Sequence, residues 1–224
     1  MLSKRLQKVL DYISIEDNLA DIGCDHGYLA MEAINKGIKK VQLVDNKIGP
    51  LNVAKKNLLP FEKNAIILYT LADGLSDINQ DINVVAICGM GGDLITKILR
   101  DNLNVAKLMK YLILEANSKV EILRKFLSDN NFLIIDEDVV LDKNRFYEII
   151  KISYSNNSKI LSDDEIMFGP VNLVKRTDTF LSYLKYKIIK LEDIIKKNSL
   201  GDISQLKLKK DKLLEIVNET KRTN

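Results

Sequence analysis

Short apolar runs alternate with amphipathic helical stretches through most of this chain, and that alternation restricts its fold more than any other feature. "NLADIG" (18–23) leads into a helical pattern from about Tyr28, and "VQLVD" (41–45) into one around residues 50–59. "AIILYT" (65–70), "NVVAICG" (83–89) and "YLILEA" (111–116) follow. Helical "GGDLITKILRDNL" separates the last two, and "VEILRKFLSDNN" comes after them. Strands separated by helices return in the same direction, so the pattern predicts a parallel sheet with helices on both faces. It then changes. "FLIIDEDVVL" and "RFYEIIKIS" are joined only by "DKN", which predicts an antiparallel hairpin.

Five parallel strands closed by such a hairpin describe the α/β sheet of class I, Rossmann-like methyltransferases better than that of a dinucleotide dehydrogenase. "FGP" (168–170) marks a boundary, dividing a domain of residues 1–170 from a tail of residues 171–224. In the tail Leu181, Leu184, Ile188, Leu191 and Ile195 follow a 3-4-3-4 spacing, a coiled-coil seam. "NSLGD" (198–202) breaks that helix, and a second carries Ile203, Leu206, Leu213 and Val217, with Lys210 interrupting its seam. Two helices around a short glycine loop predict a helical hairpin.

Apolar residues make up 46% of the chain and charged ones 29%, enough for a core and against disorder. No apolar run approaches the length of a membrane span. "MLSKRLQKVLDYI" is not a signal peptide, because Leu2, Leu6, Val9, Leu10 and Ile13 share one helical face with charges between them. Cys24 and Cys88 suggest neither a disulfide framework nor a zinc site, so no metal is expected and a cytoplasmic location is. Charge is divided along the chain. Residues 171–224 hold 13 Lys or Arg against 7 Asp or Glu, a net of +6, so with a whole-chain +3 the first 170 residues carry −3. "KLKKDK" (207–212), with Lys207 and Lys210, suits a polyanion; a solvated helix face is the alternative.

The loop in "LADIGCDHGYLA" (19–30) is the candidate ligand site. A pyrophosphate loop reads G-x-G-x-x-G. Here Gly23 and Gly27 are spaced G-x-x-x-G, and Asp25 stands where backbone would meet phosphate. With Asp21 also present, the loop repels a dinucleotide. S-adenosylmethionine has no phosphate, carries a sulfonium and an ammonium, and is the ligand the loop favours. At the ends of the following strands, Asp45 with Asn46 suits the ribose hydroxyls, and "ADG" (Ala72, Asp73, Gly74) suits the adenine edge. Gly89, Gly91 and Gly92 around Met90 bring backbone close to something, or make a tight strand-to-helix turn. Cys24 and Cys88 end adjacent strands and could face one pocket, although a buried structural role suits each better. His26, the single histidine, reads as a pocket wall more readily than as a general base.

Taken together, "SKRLQKVLDYI", "LADIGCDHGYLA", "ICGMGGDLI", "NRFYEIIKI" and "FGP" resemble the bacterial tRNA (adenine-22-N1)-methyltransferases over most of residues 1–170, and the helical tail matches in position and length. The resemblance implies a methyltransferase domain, a helical domain and tRNA as substrate. In that picture Asp21, Gly23, Asp25, His26 and Tyr28 hold the methionine end of the cofactor, Cys24 belongs to the same cofactor pocket, and Arg5 reaches the cofactor from the N-terminal helix or is simply exposed. Asp45 with Asn46 holds its ribose and Asp73 with Ala72 and Gly74 its adenine, while Gly89, Met90, Gly91 and Gly92 wall the site where the target base enters. Asp25, Met90 and Asn117 act by positioning, since adenine N1 needs no strong base. Gly92, Asn117, Tyr147, Lys207 and Lys210 meet the RNA; Tyr28, Phe146 or Tyr147 could stack on the base. One segment departs: the family pattern after the fifth strand is leucine, glutamine, proline, asparagine, and here it is Leu114, Glu115, Ala116, Asn117. Glu115 is expected to add negative charge near the RNA face. Other readings are a methyltransferase for another substrate and a nonenzymatic RNA-binding protein on the same fold. A monomer or weak homodimer is expected.

Overall fold

A computed structural model describes residues 2–197 and 203–219. Helix α1 (Lys4–Asp11) precedes five strands and the helices between and after them: β1 (Leu19–Ile22), α2 (Tyr28–Lys36), β2 (Lys40–Asp45), α3 (Ile48–Leu58), β3 (Ile66–Leu71), β4 (Val84–Met90), α4 (Gly92–Asp101), α5 (Leu103–Leu108), β5 (Tyr111–Ala116) and α6 (Val120–Asp129). Strands β6 (Phe132–Asp142) and β7 (Arg145–Tyr154) follow, then α7 (Asp163–Phe168), α8 (Pro170–Lys175), α9 (Asp178–Lys197) and α10 (Ser204–Glu219). The sheet order is β3-β2-β1-β4-β5-β7-β6. Strands β1 to β5 are mutually parallel, and β7 runs antiparallel to both β5 and β6. This is the Rossmann-like sheet with a terminal hairpin that the sequence predicts.

Alternation along each strand fills two cores. Val84 and Ala86 of β4 face one way, with Leu19, Leu43, Ile113 and the inner sides of α1 and α2. Val85 and Ile87 face the other, with Ile22, Leu112, Leu114, Leu99 of α4 and Leu123 of α6. The β6–β7 turn places both Lys143 (φ +45°) and Asn144 (φ +61°) in the left-handed region, the geometry of a two-residue turn matched to strand twist. The predicted helix over "GGDLITKILRDNL" is divided. The Asn102 side chain donates to the Ile98 carbonyl at 3.0 Å, taking an acceptor from the helix, and α5 starts anew at Leu103.

"FGP" has a buried cause. Arg124 of α6 is wholly buried between Glu137 and Glu148, with Nε to Glu137 Oε1 at 2.7 Å and Nη2 to Glu148 Oε2 at 2.6 Å. Glu137 Oε2 also accepts from the Val171 N–H at 3.1 Å. Gly169 has φ +91°, and a Cβ there would stand 2.3 Å from that carboxylate oxygen, so only glycine lets the chain pass.

The chain divides into two compact units between Val171 and Asn172. In the second unit α9 and α10 pack together. Leu184 and Ile188 of the predicted seam are buried, joined by Phe180; on α10 Leu213 and Val217 are buried, joined by Ile216. Lys210 interrupts the seam because its ammonium pairs with Glu192 of α9 at 3.7 Å. The predicted break at residues 198–202 lies outside the described residues. Among the described residues no helix is long and apolar enough to cross a membrane, and no cluster of three or more His, Cys, Asp or Glu could hold a metal ion.

Candidate active site

A cavity of about 950 Å³ opens at the carboxyl ends of β1, β2 and β4, where parallel sheets place their ligands. Its first wall is the loop after β1. Gly23 (φ +69°), Asp25 (φ +47°) and Gly27 (φ +74°) are all left-handed, so Asp25 holds a conformation that glycine normally takes. Gly27 has its own packing reason: a Cβ would meet Leu58 at 2.6 Å and Leu43 at 3.1 Å, blocking the approach of α2 to the sheet.

Asp21 is the electrostatic centre of the cavity. It lies at the end of β1, 5% exposed, and no hydrogen bond or ion pair from the described residues reaches its carboxylate. Burial, reinforced by Asp45 and Asp25, pushes its pKa up to about 7. A nearly buried carboxylate open only to a cavity, with two more beside it, calls for a cation. Asp45 ends β2 and also accepts the Lys47 N–H at 2.9 Å. Ala72, Asp73 and Gly74 line the cavity beyond it, the last held tight against Ile98 of α4. Burial raises both thiol pKa values, with Asp21 and Asp45 adding to the effect at Cys24, and Glu115 and Asp21 at Cys88. The thiols therefore line the cavity in neutral form.

The structure brings Arg5, Asp21, Gly23, Cys24, Asp25, Tyr28, Asp45, Asn46, Ala72, Asp73, Gly74, Gly89 and Met90 to this one cavity. Other candidates lie apart from its lining. His26 is exposed and not in the lining, stacked on Tyr28 at 5.5 Å and joined to Asp25 at 2.9 Å. Gly91 and Gly92 sit behind the wall, and a Cβ on Gly92 would strike the Lys119 carbonyl oxygen at 2.3 Å. That makes Gly92 a packing glycine. Asn117 is exposed, its N–H bound to the Met90 carbonyl at 2.8 Å. Tyr147 lies under the Arg5 guanidinium at 5.3 Å. Lys207 is exposed on α10 and Lys210 is in the α9–α10 seam. Glu115 does not face outward as expected. It is fully buried, because Arg5 and the Gly89 N–H enclose it. Sequence reasoning missed Lys47 after β2 and Lys143 at the β6–β7 turn, both of which line the cavity. Only the turn signal in "DKN" hinted at the second.

The model of the tRNA (adenine(22)-N(1))-methyltransferase family matches residues 19–222. The chain belongs to that family. It is similar to the Bacillus subtilis tRNA (adenine(22)-N(1))-methyltransferase, 32% identical over 154 residues, which span 66% of this chain and 63% of that protein. The solved structure of the B. subtilis m1A22 tRNA methyltransferase matches with a TM-score of 0.80 at 27% identity, covering 98% of each chain. A family structure from M. capricolum, holding the natural cofactor product S-adenosyl-homocysteine, matches with a TM-score of 0.76 at 28% identity, covering 100% of this chain and 97% of that one. The family's cofactor, S-adenosylmethionine, fits the carboxylate-lined cavity on its charge alone.

Proposed function

We propose that this cavity carries out the family's reaction, transfer of a methyl group from S-adenosylmethionine to N1 of adenine 22 in tRNA, and that the residues divide the work as follows. The observation that carries this reading is Asp21, nearly buried and open to the cavity between Asp25 and Asp45. Asp21 and Asp25 face the cationic methionine end of the cofactor, Asp45 with Asn46 takes the ribose hydroxyls, and Asp73 takes the adenine edge. The cofactor supplies an electrophilic methyl on sulfur. Adenine N1 already bears a lone pair at neutral pH, so the chain has no proton to remove before transfer. As the N1–carbon bond forms and the carbon–sulfur bond breaks, positive charge passes from sulfur to the ring. The chain's part is to hold Gly89 and Met90 as a wall that aligns the base and to keep negative potential nearby. N1 is the pairing edge of adenine, so the nucleotide must be opened or flipped to arrive. A monomer or weak homodimer in the cytoplasm suits such an enzyme. Incubation with labelled S-adenosylmethionine and unmodified tRNA, followed by mapping of the modified base, tests the reading. Label anywhere but N1 of adenine 22 overturns it.

Asp21→Ala and Asp45→Ala should each weaken S-adenosylmethionine binding by about 1–3 kcal/mol in calorimetry. Affinity should fall as pH drops below about 7, because protonated Asp21 must release its proton to meet a cation. Asp21→Asn should flatten that profile. Stability shows the opposite sign. A carboxyl whose folded pKa lies above its unfolded value of 3.8 makes the ligand-free protein less stable as pH rises from there to about 7.

His26→Asn should retain turnover within about tenfold, since the imidazole is outside the cavity lining and no base is needed. A loss of about two to four orders of magnitude, the usual range for removing a general base, would contradict this mechanism.

A further inference from the structure

Glu115 is a buried charge that the transfer reaction, as described, does not use. It lies in β5, wholly enclosed, with Oε2 accepting from Arg5 Nη1 at 2.5 Å and from the Gly89 N–H at 2.8 Å. Its Oε1 is buried with no hydrogen-bond partner among the described residues. The β4–β5 register is regular from Val84 to Ile87 and shifts before Met90, so a bulge falls on Cys88 and Gly89. A bulge takes an amide out of the ladder. Here the Gly89 amide is satisfied by the Glu115 carboxylate instead, while Gly89 takes φ +76° and the chain turns toward the cavity. At the same carboxylate oxygen, Arg5 of α1 lines the cavity and lies over the Tyr147 ring. Glu115 therefore joins a helix 110 residues away to the wall against which methyl transfer takes place.

The charge balance matters as much as the shape. Without Glu115, Arg5 would place an uncompensated cation on the wall of a cavity meant for a sulfonium. Cys88 lies close enough to feel both Glu115 and Asp21, so the two carboxylates act on one stretch of wall.

We propose that Glu115 is an electrostatic positioning residue: it closes the bulge that aims Gly89 and Met90 into the cavity, and it cancels the charge of Arg5 there, so that the wall accepts the cationic cofactor. The proposal rests on S-adenosylmethionine occupying this cavity. Its signature is the ratio of affinities for S-adenosylmethionine and S-adenosylhomocysteine. The two share every group except the charged methyl on sulfur, so the ratio reads the potential at that atom, and a general loosening of the site would lower both together.

The test is calorimetry of both ligands at about pH 8 on the full chain. Wild-type binding of S-adenosylmethionine first checks the cofactor assignment separately. Glu115→Gln keeps an oxygen for Arg5 and Gly89 but removes the charge. It should weaken S-adenosylmethionine about three- to tenfold relative to S-adenosylhomocysteine, as a net cation several ångströms away in a partly screened site requires. Adding Arg5→Met should bring the ratio back. Arg5→Met alone, which leaves the carboxylate uncompensated, should move the ratio the other way and serves if Glu115→Gln does not fold. Glu115→Ala, which also loses the bulge contact, should lower kcat for tRNA as well. An unchanged ratio in Glu115→Gln, or an equal loss of both ligands that Arg5→Met does not reverse, overturns the proposal.

Discussion

Arg124→Ala should destabilise the protein by about 3–5 kcal/mol, because it removes the buried guanidinium that pairs with both Glu137 and Glu148. The loss reaches beyond the pair. Glu137 also holds the Val171 N–H and lies against Gly169, so the end of the first unit loses its anchor. Urea unfolding should show the midpoint shift directly. The deficit should narrow toward acid pH. Burial already raises the Glu137 pKa even with Arg124 beside it, and removing Arg124 raises it further, so protonation relieves part of the loss. Replacing all three residues by leucine should recover only part of the stability, since a buried ionic triad adds little over a packed apolar one but the Val171 N–H loses its acceptor. A loss below about 1 kcal/mol in Arg124→Ala would mean that water or backbone donors compensate the carboxylates.

The second large effect belongs to the tail. A chain ending at Lys175 keeps the whole sheet, both cores and the Glu137–Val171 tie, so it should fold and bind S-adenosylmethionine as the full chain does. It should lose tRNA affinity by about a hundredfold, and its remaining binding should depend less steeply on log salt, because each lost phosphate contact removes about one counterion from the slope. The motive is the charge split between −3 for the first 170 residues and +6 beyond them. Lys207→Ala should reduce affinity modestly. Lys210→Ala is the weaker probe of phosphate contact, since its ammonium already serves Glu192 across the helix pair. Gel-shift titrations at several salt concentrations decide the matter. Undiminished binding by the shortened chain would make α9 and α10 a stability or dimerisation element.

The sequence alone determined what depends on short-range pattern. Alternating apolar runs and helical stretches dictated parallel strands, "DKN" dictated a hairpin, and the 3-4 seam dictated paired helices. The glycine loop with Asp21 and Asp25 was legible too, because a loop's conformation and its charge both come from neighbouring residues. Tertiary structure decided the remainder. His26 follows Asp25 directly, yet only Asp25 is part of the cavity lining. Lys143 reaches that cavity only because β7 runs back along β5. Glu115, read from the sequence as negative charge near the RNA face, is a buried carboxylate. Its partners, Arg5 and Gly89, come from α1 and β4, elements that meet it only across the assembled sheet. Periodicity reports which face of an element is apolar. Which polar groups share a buried space is set by strand order and register, and those arise only when the crossovers have closed.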